Sequence, residues 1–92
     1  LKSYLRKISE LIEKEMDEKK IQAKTVSIKL KDEYFRNRTR SYTLQEPIYK
    51  ADDIYNEAIS LFEEVFAGEY LRLIGISLSN LSDRDIDQLT FL

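Results

Sequence analysis

The sequence predicts an α+β fold, a small antiparallel sheet with two helices packed on one face, in the order α-β-β-α-β. Apolar residues recur at three- and four-residue steps near the N-terminus and again after residue 52, which is the period of amphipathic helices. Residues 25–31 and 70–80 instead alternate apolar with polar side chains, which is the period of half-buried strands. The chain has 92 residues, 42% of them hydrophobic and 35% charged, which is typical of a single soluble domain with one core.

The first helix is predicted over residues 1–20, because one apolar stripe runs along that segment. Its members are Leu1, Tyr4, Leu5, Ile8, Leu11, Ile12 and Met16. A stripe of this width is more often the core side of a domain than a partner-binding face. After the polar KKIQAK segment, a first strand places Val26, Ile28 and Leu30 on one face. A turn over DEYFRN then leads into a second strand at about residues 38–44.

The second half of the chain predicts a helix followed by a strand. Pro47 ends the second strand, and Asp52 or Asp53 is the expected N-cap of the next helix. The apolar side of that helix consists of Ile54, Tyr55, Ala58, Ile59, Leu61, Phe62, Val65 and Phe66. Gly68 stands where a left-handed residue is expected after a helix. The last strand, residues 70–80, has Ile74, Ile76 and Leu78 on one face and Gly75, Ser77 and Ser79 on the other.

Charge is distributed unevenly along the chain. Residues 19–50 contain nine cations and three anions, a net charge of +6, whereas the whole chain carries −2 and the remainder therefore −8. This polarity favours a polyanionic partner, although a solvated basic hairpin would give the same pattern, and charge alone weights the two interpretations evenly.

The face of the sheet without helices combines hydroxyls and lysines. It is predicted to carry Thr25, Ser27, Lys29, Lys31, Ser77 and Ser79, with Thr39, Ser41 and Thr43 as candidates from the middle strand. Hydroxyl and ammonium groups donate hydrogen bonds to phosphate oxygens, so nucleic acid is the favoured partner of this face. Arg38, Arg40 and Tyr42 alternate in phase with apolar Leu44, so the pattern leaves open on which face the arginines lie.

Several of these segments resemble one known domain. The resemblance lies in the order and spacing of TVSIKLKDEYF, then TRSYTL followed by Pro47, then a helix, and then LRLIGISLSNL. In these respects the chain resembles the C-terminal little finger domain of bacterial Y-family translesion DNA polymerases, the ImpB/MucB/SamB or UmuC-like group. The resemblance covers residues 2–92. The family's domain begins with one more strand before its first helix, whereas this chain starts at the helix and without Met. We therefore expect that strand to precede residue 1 in a longer protein.

The resemblance implies a domain that grips the primer-template duplex during translesion synthesis, through phosphates more than bases. It implies a cytoplasmic, nucleoid-associated protein that works in DNA repair and the SOS response. The expected DNA contacts carried over by motif are Thr39, Arg40, Ser41, Thr43, Arg72, Gly75 and Ser77, and the charge pattern adds Lys29 and Lys31. Arg40 and Arg72 would be charge-assisted phosphate donors, and Gly75 would permit close approach of the backbone or relieve packing in the strand.

The C-terminal segment carries a second signal. After the boundary predicted at residue 82, residues 83–92 form a polar tail that ends in Gln88, Leu89, Thr90, Phe91 and Leu92. This ending resembles the short peptide with which bacterial polymerases bind the sliding clamp, so Gln88, Leu89, Phe91 and Leu92 are the expected clamp contacts. We expect the tail to be mobile in the free domain.

The composition argues against catalysis by this chain. It contains no cysteine and no histidine, which excludes disulfides, thiolate metal sites and imidazole bases. The resemblance implies that nucleotidyl transfer, with its carboxylate-bound magnesium, belongs to another domain of the parent polymerase, and we expect no cofactor in this chain. The alternative function is a protein-interaction or regulatory module that binds an acidic partner. RNA binding by an exposed sheet is a third possibility, for which only Tyr42 is a candidate stacking residue.

Overall fold

Two helices pack on one face of a three-stranded antiparallel sheet, which confirms the predicted fold class and element order. The computed structural model describes residues 2–84. Its elements are α1 (Lys2–Lys19), β1 (Ile21–Asp32), β2 (Asn37–Ile48), α2 (Ala51–Val65) and β3 (Leu71–Asp83). The strands lie in the order β2-β1-β3, with β1 antiparallel to both neighbours. No helix within residues 2–84 is long and apolar enough to cross a membrane.

The strand β1 begins earlier than the apolar alternation indicated. Lys20 adopts a left-handed conformation with φ +56°, which ends α1 and lets the chain reverse at once into Ile21. The polar segment before Thr25 is therefore the first part of the strand. This segment forms strand hydrogen bonds because β2 and β3 flank it, and these neighbours cannot be recognised from its local composition.

The strand β2 also extends further than predicted, across Pro47 to Ile48. Its register with β1 shifts near this end, since Thr25 pairs with Thr43 but Ala23 pairs with Ile48. Residues 44–47 thus have no partners in the β1 register. Proline lacks an N–H group and is tolerated in a strand at such an irregular edge position.

The core lies between the helices and one face of the sheet. The register places Val26, Ile28 and Leu30 of β1 on this face beside Ile74, Ile76 and Leu78 of β3. The main buried cluster consists of Leu5, Val26, Ile28, Leu30, Leu61, Phe62 and Ile74, and a smaller one of Met16, Ala23 and Ile54. Burial of each large aliphatic side chain contributes about 1.5–3 kcal/mol, so the alternating residues of β1 hold the sheet against the helices.

The helix α2 begins differently from the prediction. Asp52 and Asp53 are not the N-cap; they lie in the first turn, where carboxylates stabilise the positive end of the helix dipole. The N-cap is Lys50, which makes no capping hydrogen bond through its side chain. Instead the Oε1 atom of Glu13, on α1, accepts a hydrogen bond of 3.0 Å from the backbone N–H of Ala51. The prediction was wrong because the cap comes from the other helix.

The connection between α2 and β3 contains the expected left-handed glycine in a different role. Gly68 has φ +86°, but α2 ends at Val65 and its C-cap, Phe66, is extended. The glycine therefore serves a turn two residues beyond the helix cap.

The far end of β3 is fixed to the rest of the domain. The strand continues to Asp83, past the predicted end at residue 80. The next side chain, Arg84, donates to the carbonyl oxygen of Met16 at 2.7 Å and lies 3.0 Å from a carboxylate oxygen of Asp17. Its guanidinium carbon is 3.9 Å from the ring centroid of Tyr49. These contacts hold Arg84, which lies within the predicted tail, against α1 and Tyr49.

Candidate nucleic-acid interface

The face of the sheet opposite the helices, which we call the open face, is formed by alternate residues of all three strands. Because side chains alternate along a strand and paired residues share a face, the register assigns each position. The open face consists of Thr25, Ser27, Lys29 and Lys31 of β1, Asn37, Thr39, Ser41 and Thr43 of β2, and Leu73, Gly75, Ser77 and Ser79 of β3. The β2 hydroxyls that the sequence left as candidates therefore lie beside the lysines of β1.

Lys29 lies at the centre of this surface. It pairs with Thr39 on one side and with Gly75 on the other. In the next row Ser27 lies between Ser41 and Ser77, so the lysine is bordered by short side chains. A shallow depression of about 260 Å³ is lined by Lys29, Leu30, Lys31, Asn37, Thr39 and Leu73. Neither lysine of the open face forms an ion pair within residues 2–84. Their ammonium groups are thus available to an anionic ligand.

Hydroxyl groups on the open face bond to one another across the strands. The Oγ atoms of Ser27 and Ser41 are 2.6 Å apart, and the Oγ1 atoms of Thr25 and Thr43 are 3.0 Å apart. Each hydroxyl has one proton to donate, so each pair uses one and leaves the other for a ligand.

Asn80 supports one of these pairs. Its Nδ2 atom donates to the Oγ1 of Thr25 at 2.6 Å. Thr25 can then donate to Thr43, which leaves the Thr43 proton free to reach a phosphate oxygen. Sequence reasoning did not identify Asn80. It follows the last apolar residue of the alternation, Leu78, and nothing in the sequence indicates that its side chain contacts a hydroxyl of β1.

Gly75 has no structural requirement for glycine in this sheet. It pairs regularly with Lys29 without a bulge, and a Cβ atom placed on it would meet nothing within 4 Å. The alternative considered for this residue, that it relieves packing within the strand, therefore has no support. The missing side chain leaves a low point next to Lys29, where a ligand backbone can approach closely.

Arg40 lies on the other side of the sheet. It pairs with Ile28, a core residue, and its Nη2 atom is 2.9 Å from Oε1 of Glu64 on α2. Tyr42 shares this orientation opposite Val26, so this candidate for base stacking is also on the helix side. The open face, as the structure describes it, therefore contains no aromatic residue, which removes the basis for an RRM-like RNA interface.

Arg38 is also bound to the helical layer. Its Nη1 atom donates to the carbonyl oxygen of Val65 at 3.1 Å and lies 2.8 Å from Oε2 of Glu69. The pKa of Glu69 is lowered by hydrogen bonds from its own backbone N–H and that of Ala67 and by the charge of Arg38, which together outweigh burial. This arginine fixes the end of α2 to β2 and is not presented to a ligand on the open face.

Arg72 occupies a bulge at the start of β3. Lys31 pairs with Leu73 and Asp32 with Leu71, so Arg72 has no partner opposite it. Bulges redirect side chains. The guanidinium carbon of Arg72 lies 4.3 Å from the ring centroid of Phe35, in the turn between β1 and β2. This arginine is exposed at one end of the open face, apart from the hydroxyl rows.

Asp32 holds together the turn between β1 and β2. Its Oδ1 accepts the backbone N–H groups of Tyr34 and Arg36, both at 2.9 Å, and its Oδ2 accepts Nε of Arg36 at 2.8 Å. Burial alone would raise the pKa of Asp32, but the two N–H groups and the guanidinium outweigh it and hold the pKa below its ordinary value.

The expected clamp contacts, Gln88, Leu89, Phe91 and Leu92, lie outside the described residues. Within residues 2–84, no three His, Cys, Asp or Glu side chains are grouped so that they could hold a metal ion.

Comparison with known proteins identifies one family. The C-terminal domain of the impB/mucB/samB family matches residues 1–91. DNA polymerase IV of Leptospira interrogans is 39% identical over 100% of this chain and 28% of its own length. The proteins of the same name from Mesorhizobium japonicum and Staphylococcus epidermidis are 38% and 37% identical, over 92% and 94% of this chain and 19% and 25% of their own lengths. The chain thus spans between about a fifth and somewhat more than a quarter of these curated relatives.

Proposed function

The chain belongs to the impB/mucB/samB C-terminal domain family, and on that basis we propose that its open face grips the primer-template duplex for a Y-family polymerase during translesion synthesis. The relatives named DNA polymerase IV support a polymerase context. The proposal includes a role in DNA repair and the SOS response, at the nucleoid in the cytoplasm. Nucleotidyl transfer and its magnesium ions would belong to the remainder of such a polymerase.

The observation that carries the proposal is the position of Lys29 between Thr39 and Gly75. A lysine ammonium donates charge-assisted hydrogen bonds to phosphate oxygens, and a threonine hydroxyl adds a neutral one. The open position at Gly75 lets the sugar-phosphate backbone lie close to the sheet. These groups recognise phosphate rather than base edges, so we expect binding that depends little on DNA sequence.

Salt dependence tests this proposal. Each phosphate neutralised by a lysine contributes about 0.9 to the slope of log affinity against log salt concentration. In the native-length protein that contains this chain, Lys29→Ala together with Lys31→Ala should reduce the magnitude of that slope by about 1.8 for a primer-template duplex.

The matched control removes the same charge from the helical side. Lys7 and Lys14 are exposed on α1, so Lys7→Ala with Lys14→Ala should leave the slope nearly unchanged. An equal reduction of the salt slope in the two double variants would mean that net charge, and not the open face, governs binding. A flat salt response of the unsubstituted protein would favour the alternative, a module that binds a protein partner.

For the tail we propose a second contact, with the bacterial sliding clamp. The support is the sequence Gln88-Leu89-Thr90-Phe91-Leu92, in which an amide precedes apolar anchors. Because ordering an extended peptide opposes binding, the expected dissociation constant is about micromolar. Gln88→Ala with Leu89→Ala should abolish binding to purified clamp and leave duplex affinity unchanged. Clamp binding that survives this change would refute the assignment.

A further inference from the structure

Three aromatic side chains are exposed together at the end of the sheet where β1 turns into β2. Tyr34 and Phe35 belong to that turn, and Tyr70 directly precedes β3; their exposed fractions are 68%, 61% and 80%. The backbone N–H of Glu33 donates to the carbonyl oxygen of Tyr70 at 3.1 Å, which joins the two segments. We call these three residues the aromatic tip. Single exposed aromatic residues are ordinary, whereas a group of them at one end of a domain indicates a contact surface.

The turn holds Phe35 in a conformation that its own side chain disfavours. Phe35 has φ +64°, in the left-handed region where a β-carbon is crowded by the backbone. The Asp32 carboxylate and a hydrogen bond of 3.0 Å from Phe35 N–H to the Asp32 carbonyl fix this geometry. Glycine would adopt it without strain, and the core would lose little because the ring is mainly exposed. The strain is thus retained at a ring that faces solvent, which points to a role in contact with a ligand.

Cations lie beside the rings of the aromatic tip. The Arg72 guanidinium carbon is 4.3 Å from the Phe35 ring centroid, and that of Arg36 is 5.1 Å from the ring of Tyr34. Lys31, at the end of the open face, has its Nζ atom 6.0 Å from the Phe35 centroid. Glu33 is an exposed anion in the same turn, and Asp32 is already paired with Arg36. The surroundings of the Tyr34 and Phe35 rings are therefore mainly cationic, and Glu69, which precedes Tyr70, is paired with Arg38.

We propose that the aromatic tip binds unpaired nucleotides by stacking their bases on its rings, at the point where a single strand leaves the duplex held on the open face. Proteins bind single-stranded nucleic acids with exposed aromatic rings and neighbouring cations. The rings stack on the π-faces of the bases, and the cations contact the phosphates that link the nucleotides. Paired bases inside a duplex offer no free face to an external ring. A purely apolar partner would not account for the cations. This inference rests on the proposed function for the position of the duplex.

The test compares three probes that share a phosphate backbone and differ in their bases. Fluorescence anisotropy of the native-length protein would be measured with a 12-nucleotide oligothymidylate, an abasic oligomer of equal length and a blunt duplex. Loss of one stacking ring should lower affinity for oligothymidylate by about 5- to 150-fold. Tyr34→Ala and Tyr70→Ala should show this loss, whereas binding to the abasic oligomer and the duplex should stay within twofold.

Two further variants separate stacking from other roles of the rings. Phe35→Leu keeps apolar bulk but has no π-face, so it should lose oligothymidylate affinity as an alanine variant does. Tyr34→Phe keeps the ring and should bind as the unsubstituted protein does. Tyr42→Ala removes another exposed tyrosine, which is 56% accessible on the helix side of β2. This variant should bind all three probes with unchanged affinity.

Other results would overturn the inference. Equal losses for the abasic oligomer would show that the tip acts only on phosphates, and undiminished oligothymidylate binding in Tyr34→Ala and Tyr70→Ala would show that it does not stack bases. Full affinity in Phe35→Leu would indicate an apolar contact, as with a protein partner. The proposed function is tested separately, by duplex binding of the Lys29→Ala, Lys31→Ala variant. It can therefore stand when the stacking inference fails, and its failure would be seen in duplex binding alone.

Discussion

The guanidinium of Arg40 lies 2.9 Å from the carboxylate of Glu64, on the side of the sheet that carries the helices. Both side chains are about half exposed, so the ion pair contributes about 0–1 kcal/mol to stability. Its more important consequence is for binding. Arg40, which the sequence motif favours as a phosphate contact, points away from the hydroxyls of its own strand. The cations that lie among those hydroxyls are Lys29 and Lys31.

Arg40→Ala should therefore affect duplex affinity less than Lys29→Ala does. Removing Arg40 takes a cation from the helix side, whereas Lys29 lies in the centre of the open face between Thr39 and Gly75. We expect a loss of about 1.5–3 kcal/mol for the lysine, the range of charged hydrogen bonds, and less than 1 kcal/mol for the arginine. Titration of labelled duplex at one fixed salt concentration measures both. An equal or larger effect of Arg40→Ala would place the DNA on the other side of β2.

Gly75→Leu should weaken duplex binding while the domain remains folded. The new side chain would project from the low point beside Lys29 and keep the DNA backbone away from the sheet, at a cost of about tenfold in affinity. Nothing lies within 4 Å of a Cβ at this position, so no internal clash opposes the substitution. Gly75→Ala is the matched control, and reduced flexibility of the unfolded chain should stabilise it by about 0.4–1 kcal/mol. Urea unfolding of both variants checks that they are folded. Full duplex affinity in the leucine variant would refute the close approach of the DNA backbone at Gly75.

Asp32→Asn should destabilise the domain near neutral pH and much less in acid. The pKa of Asp32 is lower in the folded state than its ordinary value of about 3.9, so its contribution to the free energy of unfolding is fully present above that pH. The contribution is lost as pH falls through the lower folded pKa. Urea unfolding of both proteins between pH 7 and pH 2 should show two curves that converge below about pH 3.9. A constant difference across this range would mean that the charge of Asp32 is not the source of its effect.

Glu13→Ala should lower the free energy of unfolding by about 1 kcal/mol, within the range of about 0.5–2 kcal/mol for loss of a helix cap. The carboxylate accepts the first N–H of α2, from Ala51, and does so from another helix. Glu13→Gln retains an acceptor oxygen and should lose less. Glu10→Ala, at an exposed position of α1, provides the baseline. If all three variants unfold at the same urea concentration, the contact with Ala51 contributes nothing to stability.

Most residues of β1 and β3 on the open face could be predicted because they follow from alternation, whereas the β2 residues Thr39, Ser41 and Thr43 were only candidates and Asn37 and Leu73 were not identified. Val26, Ile28 and Leu30 identify the buried side of β1, and the opposite residues are then known without the structure. The same reasoning gave Gly75 and Ser77 through the apolar residues of β3. The fold class followed from these periods and from the two apolar stripes of the helices.

The orientation of the arginines could not be predicted, since β2 lies at the edge of the sheet and has few apolar residues to mark its buried side. Arg40 is placed by its register with Ile28 and by Glu64, which is 24 positions away in sequence. The cap of α2 escaped prediction for a similar reason, because Glu13 becomes its neighbour only after the helices pack. Contacts of this kind depend on the tertiary arrangement and leave no local pattern.

Site-directed crosslinking tests the central claim, that duplex DNA lies on the open face, most directly. Ser77 and Ser60 are both exposed serines, one on the open face and the other on α2, and the described chain has no cysteine of its own. In the native-length protein, Ser77→Cys and Ser60→Cys would each carry the same thiol-linked photoreactive group, with the unsubstituted protein as background. The account predicts a crosslink to primer-template duplex from Ser77→Cys and none above background from Ser60→Cys. Equal yields, or a crosslink from Ser60→Cys alone, would contradict it.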